Sequence, residues 1–219
     1  MMRLLLLNPN TNAETTASMR FIAQAAAAPG TLIDAMSAPY GVPLITTEQT
    51  LATAAAAVQA LSGQIAAVPP DGVIIAAFGD PGLAALRLRL SCPVTGIAEA
   101  AMGEAGSGDR AFAVITTTPG LVGPIEASAR AYGHGRTLRG VVVTEGDPHA
   151  VMTEHERLVE ALAKACAHAI ETLSVQALVL GGGPLGVAAQ ALSDRFPIPI
   201  IAPIPPAVRL AQKRALQRG

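Results

Sequence analysis

The chain has 219 residues, 51% of them hydrophobic and only 14% charged, with a net charge of −1. That length is enough for one large domain or two small ones with a real core. The near-neutral charge and the absence of a concentrated basic face exclude nucleic acid as a main partner, and no uninterrupted apolar run is long enough to predict a membrane span.

The first predicted strand covers residues 3–7 and ends in the polar run Asn8-Pro9-Asn10-Thr11-Asn12. Its four leucines are too few for a signal-peptide core, and no small-residue cleavage site follows, so a soluble cytoplasmic protein is expected. A helix over 12–28 follows, with Asn10 or Asn12 as its cap. Further strands are predicted over 31–35, 72–76, 94–97, 111–115, 138–143, 177–180 and 198–201. Helices are predicted over 48–68, 119–132, 152–173 and 205–216. Aliphatic runs without polar alternation indicate strands covered on both faces, hence parallel sheets flanked by helices. The predicted class is α/β.

The order of elements repeats at an offset of a little over a hundred residues. "RLLLLNPNTN" from Arg3 parallels "AFAVITTTPG" from Ala111, and "DGVIIAAFGDPG" from Asp71 parallels "VQALVLGGGPLG" from Val175. "CPVTGIAEAAM" from Cys92 parallels "IPIIAPIPPAV" from Ile198. Two similar halves are predicted, residues 1–98 and 99–201, each with a four-stranded parallel sheet, and helix 202–219 returns to the first half. Ligands of open parallel sheets sit beyond the carboxyl ends of the strands, so the strand-end loops of the two halves should face one cleft.

Gly181, Gly183 and Gly186 spell G-x-G-x-x-G, the pattern of a dinucleotide loop. That reading requires an acid about 20 residues on and the rest of a nucleotide-binding unit. Asp194 comes too soon, and too little chain remains for the unit. No nicotinamide or flavin cofactor is expected, and the four histidines and two cysteines show no metal-ligand spacing.

The combination of "LLLLNPNTN", "IIAAFGDPGL", "AVITTTPG" and "LGGGPLG", in that order over nearly the full chain, resembles the aspartate/glutamate/hydantoin racemase family, its hydantoin racemase branch above all. The resemblance implies two pseudo-symmetric sheets with a cofactor-free site between them. It also implies a pair of thiols, one per half, removing and delivering a Cα proton on opposite faces. The matching positions here are Ala77 and Gly182, and neither is cysteine. Cys92, before a strand, and Cys166, on an apolar helix face, are expected to be structural.

The remaining cleft candidates follow from strand-end position. Asn8, Asn10 and Thr11 in the first half, and Thr117 and Thr118 in the second, are expected to meet a carboxylate or imide oxygen, with Thr118 also capping a helix begun by Pro119. Backbone N–H groups of Phe78, Gly79 and Gly183 are candidate anion donors, and Phe78 a candidate wall. Tyr40 is expected at the rim and His149 in an exposed loop. Asp80 is the one acid in the two thiol-position loops; it reads as a general base, or as the cap of the helix that follows Pro81. The implied activity is isomerisation at a carbon next to a carbonyl, on an amino acid or cyclic ureide. A catalytically silent binder of a small carboxylate or ureide, or an enolate-forming lyase, is the alternative. The little-charged, alanine-rich helices predict a homo-oligomer.

Overall fold

The computed structural model describes residues 1–218. Strands β1 (Met2–Asn8), β2 (Thr31–Ser37), β3 (Gly72–Ile75) and β4 (Val94–Gly96) form one sheet in the order β2-β1-β3-β4. Strands β5 (Phe112–Thr116), β6 (Leu138–Val143), β7 (Ala177–Leu180) and β8 (Ile200–Ile201) form a second in the equivalent order β6-β5-β7-β8. Every pairing is parallel. The helices are α1 (Ala13–Ala26), α2 (Glu48–Ala60), α3 (Ser62–Ala67), α4 (Leu83–Arg89), α5 (Ile97–Ala105), α6 (Val122–Ala131), α7 (Pro148–Val151), α8 (His155–Leu173), α9 (Ala189–Ser193) and α10 (Ile204–Leu216).

The aliphatic runs divide between two cores by the strand period of two. Leu5, Leu7, Val73 and Ile75 pack outward on Val58, Ile65, Leu83 and Leu86. Ala113, Ile115, Leu178 and Leu180 pack outward on α8 residues such as Leu162 and Cys166. The alternate residues, Leu4, Leu6 and Ile74 of one sheet and Phe112, Val114 and Val179 of the other, meet a shared middle layer of α1, α5, α6 and α10. Small residues such as Ala98, Ala101 and Ala105 in α5, all fully buried, let that layer pack closely with few aromatics. Both strand-rich halves therefore close on one continuous core, which holds their strand ends in a fixed relation.

Several local expectations are refined. The helix expected over 48–68 breaks at Leu61 into α2 and α3, just before the poor helix formers Ser62 and Gly63. The helix expected from 119 begins as a 3-10 turn, Pro119–Leu121, before α6. The division expected between residues 98 and 99 falls inside α5, a helix that packs against β4 and α10 on one side and β7, β8 and α6 on the other. Helix α10 lies against α1, α5, β3 and β4, and Gln212 Nε2 donates to Thr31 Oγ1 at 2.8 Å. No helix among the described residues is long and apolar enough to cross a membrane.

Candidate active site

The loops after β1, β3, β5 and β7 converge on a cavity of about 60 Å³ between the two halves. Asn10 lines it from the first of these loops, Ala76, Ala77 and Phe78 from the second, Thr117 and Thr118 from the third, and Gly181 to Leu185 from the fourth. Leu44, Ile45, Leu121 and Met152 complete an apolar wall. Ala77 and Gly182, the two thiol positions implied by the resemblance, thus border the same space. A wider groove of about 1030 Å³ between β6 and α8 is lined by the second half alone and contains neither of them.

The halves approach so closely here that glycine is required. A Cβ on Gly183 would stand 2.5 Å from Met19 Sδ and 3.1 Å from the Ala76 carbonyl oxygen. At Gly181 it would stand 2.7 Å from Val114 Cγ1. Gly183 is thus required by the close approach of the two halves, and Gly181 by packing against β5 of its own half.

The Asn-rich loop is organised internally. Asn8 is fully buried, and its Nδ2 donates to Asn10 Oδ1 and Thr16 Oγ1, both at 2.8 Å. Asn10 Oδ1 also accepts from the Asn12 amide at 2.9 Å, while Asn12 caps α1 by accepting from the Thr15 amide. These bonds fix the Asn10 side chain with Oδ1 turned inward to the loop. Its Nδ2 donates to no group among the described residues and belongs to a side chain on the cavity wall. Asn8 and Thr11, both expected in the cleft, do not line it; Asn8 is the scaffold for Asn10, and Thr11 is exposed.

In the second half Thr118 stands at the N-cap position of the Pro119–Leu121 turn, but its Oγ1 makes no capping bond and pairs with Thr116 Oγ1 at 2.9 Å. The expected capping role of Thr118 is thus replaced by a hydroxyl pair across the loop. Thr117 is 2% exposed and lines the cavity, and its hydroxyl makes no hydrogen bond among the described residues. The amide N–H groups of Ala77, Phe78, Thr117 and Gly183 are likewise unpaired among the described residues. The wall therefore offers hydrogen-bond donors from both halves, and buried donors of this kind are strongly favoured to meet an acceptor. Gly79 (φ 104°) does not line the cavity. Tyr40 and His149 are exposed and line no part of the cavity.

Asp80, expected as general base or as cap of its own helix, does not line the cavity and does not cap that helix. The cap of α4 is Gly82, and Asp80 points instead to the start of α5. Its Oδ1 accepts from the Ala98 amide at 2.9 Å and its Oδ2 from the Glu99 amide at 2.8 Å. Tyr132 Oη, arriving from the second half, donates to the same Oδ2 at 2.7 Å. Asp80 is 5% exposed and holds a left-handed φ of 49°, a conformation that costs a non-glycine residue about 1 kcal/mol. Burial, aided by the charge of Glu99, outweighs the three hydrogen bonds and raises its carboxyl to about 6. Neither Tyr132 nor Glu99 was singled out in the sequence, which carries no local signal that either meets Asp80.

Room for this carboxylate exists only because residue 96 is glycine: a Cβ there would lie 2.1 Å from Asp80 Cγ. Gly96→Ala is expected to displace Asp80 from α5 and to cost about 2–3 kcal/mol, by overpacking and by lost charge-assisted bonds. A urea midpoint unchanged from the parent would contradict that geometry.

No ionisable side chain lines the cavity. Cys92 is half-buried at the opposite end of β4, in a recess with Arg87 and Arg214. Cys166 is buried on the inner face of α8, where burial pushes its thiol up to about 12. Among the described residues no group of three or more His, Cys, Asp or Glu side chains is gathered to hold a metal ion.

Comparison with known proteins gives a consistent set of relatives. The family model described as Asp/Glu/Hydantoin racemase matches residues 4–211. A hydantoin racemase of Paenarthrobacter aurescens is 30% identical over 96% of this chain and 90% of its own. A hydantoin racemase of Pseudomonas sp. (strain NS671) is 28% identical over 96% of this chain and 85% of its own. Among solved structures, allantoin racemase from Klebsiella pneumoniae superposes with a TM-score of 0.93 at 30% identity, covering 100% of this chain and 89% of that one.

Proposed function

The chain belongs to the Asp/Glu/Hydantoin racemase family, and from that premise we propose that its cleft acts on a neutral cyclic ureide of the hydantoin or allantoin type, at the ring carbon next to a carbonyl. It is a racemase-family enzyme of the hydantoin/allantoin racemase type. The observation that supports a ureide over a free amino acid is the uncharged cavity wall. Aspartate or glutamate would bring an ammonium group and carboxylates into a space without a charged partner, which is strongly unfavourable. A ureide presents carbonyl oxygens, and the wall presents donors.

In this reading the Asn10 amide, the Thr117 hydroxyl and the N–H groups of Ala77, Phe78, Thr117 and Gly183 receive the ureide carbonyls. They stabilise the enolate oxygen that forms when the ring C–H is broken. The two faces of that carbon look towards Ala77 and Gly182, so proton transfer falls to water in the room left by the two short residues. The cavity of about 60 Å³ has room for ordered water beside Ala77 and Gly182. The proton passes between substrate and solvent, and the reading calls on no cofactor.

The test is solvent exchange in D₂O, followed by NMR, on enantiopure 5-substituted hydantoins and allantoin, with aspartate and glutamate as controls. Exchange of the ring C–H with loss of chirality is expected for a ureide and not for the amino acids. Asn10→Ala is expected to slow it about 10²-fold, the usual effect of losing one oxyanion donor. Thermal stabilisation by a ureide without exchange would mean binding without turnover. Exchange of the amino acids alone would sink the ureide assignment.

A further inference from the structure

We propose that Asp80 is a positioning residue of this cleft: its carboxylate, gripped by Tyr132 from the other half, holds the Ala77 and Phe78 amides in line for the ligand. The assignment of those amides as donors rests on the reading of the cleft given above. Ala77 to Asp80 is a single tight turn, closed by the Asp80 amide donating to the Ala77 carbonyl at 3.0 Å. With Gly79 at φ 104° and Asp80 at φ 49°, the turn runs through two successive left-handed residues. A non-glycine residue keeps such a conformation only where its surroundings over-determine it. Here the surroundings are the three hydrogen bonds to the carboxylate.

Those bonds come from two directions. The Ala98 and Glu99 amides belong to the first turn of α5, in the middle layer between the sheets. Tyr132 stands at the end of α6, the helix that leaves the Thr117–Thr118 loop through the Pro119–Leu121 turn. One carboxylate thus ties the donor loop of the first half to the helix that grows out of the donor loop of the second. The two sets of donors are set against each other by this link as well as by general packing.

The charge on Asp80 is what the three donors grip. The groups that face it are Glu99 on α5 and Tyr132 after α6, with Arg87 of α4 and Arg214 of α10 behind Glu99. Burial opposes the charge of Glu99, but Arg214 and Arg87 overcome it and hold that carboxyl at about 2. Burial and the nearby Asp80 push the Tyr132 phenol up, far outside the neutral range. Asp80, at about 6, is the member of this cluster that changes charge near neutrality. Its protonation loosens the grip, so the Ala77 and Phe78 amides lose their alignment as pH falls through that value.

The experiment uses the ¹⁵N-labelled full chain, its Asp80→Asn variant and its Tyr132→Phe variant. Ala77 and Phe78 amide shifts are followed between pH 4.5 and 8, beside exchange of 5-benzylhydantoin in matching D₂O buffers. For the parent, both readouts are expected to follow one limb centred near 6, with the exchange rate falling towards tenfold per pH unit below it. Asp80→Asn should flatten the limb. Tyr132→Phe, which removes a donor to the carboxylate, should move it to higher pH. A merely structural residue would change the melting temperature and leave the limb where it was. A limb that persists in Asp80→Asn, or stays fixed in Tyr132→Phe, overturns the proposal. Should one variant fail to fold, the other decides. An amide limb without hydantoin exchange supports the positioning role and counts against the ureide reading; exchange without the limb counts against the positioning role alone.

Discussion

Ala77→Cys and Gly182→Cys together are expected to raise racemisation of a 5-substituted hydantoin by roughly 10²–10⁴, the usual contribution of placed acid–base groups. The reason is geometric. Both positions border one cavity, on loops from opposite halves, and no lining side chain ionises. Ala77 already carries a Cβ, so a thiol there adds one atom to a half-buried position. Gly182 is not among the positive-φ glycines. A Cβ on it would stand 3.0 and 3.1 Å from Leu185 Cγ and Cδ1, so the buried Leu185 must shift by a few tenths of an ångström to admit the thiol. Each single variant supplies one face only, and is expected to speed exchange while leaving inversion slow. A folded double variant with no gain in racemisation would show that the two positions do not flank the reacting carbon.

The largest stability effect is expected from Glu99→Ala. Glu99 Oε2 accepts from Arg87 at 2.7 Å and from Arg214 at 2.8 Å, and Oε1 accepts from both at 2.9 Å. Its side chain is 17% exposed, so solvent screens these pairs only partly. Removing it leaves two guanidiniums facing each other at the junction of α4, β4, α5 and α10, a loss of about 3 kcal/mol at neutral pH. The pH dependence agrees in sign. The folded carboxyl lies at about 2 against an ordinary 4.5, so its contribution is present above 4.5 and is lost as pH falls through 2. At about 1.4 kcal/mol per pKa unit, that is again about 3 kcal/mol. Asp80 runs the other way. Raised from an ordinary 3.8 to about 6, it favours the folded state most fully below 3.8, and that advantage is lost as pH rises through 6. Urea unfolding of the parent, Glu99→Ala and Asp80→Asn between pH 2 and 8 separates the two slopes. An acid limb unchanged in Glu99→Ala would contradict the assignment.

Much of this architecture was legible in the chain itself. Unbroken aliphatic runs specify strands buried on both faces, because only a parallel layer with helices outside buries them all. The strand at residues 177–180, buried on both faces, was read to the residue, as was the edge strand at 138–143. The internal repeat made the two halves visible, and strand-end position picked out Asn10, Phe78, Thr117 and Gly183, all of which line the cavity. These features are local: period, propensity and loop chemistry act over a few residues.

What only the tertiary structure decided was the partner of each polar group. Asp80 beside Pro81 has the local signature of a helix cap, yet it caps a helix 18 residues on and meets a tyrosine 52 residues on. Thr118 stands before Pro119 like a cap, yet pairs with Thr116. Asn8 and Asn10 are indistinguishable in sequence, but one is enclosed as scaffold while the other lines the cavity. A buried polar group takes whichever partner the packed fold brings within about 3 Å. Distances of that size are set when the two sheets close on their shared helices, and no short stretch of sequence encodes them.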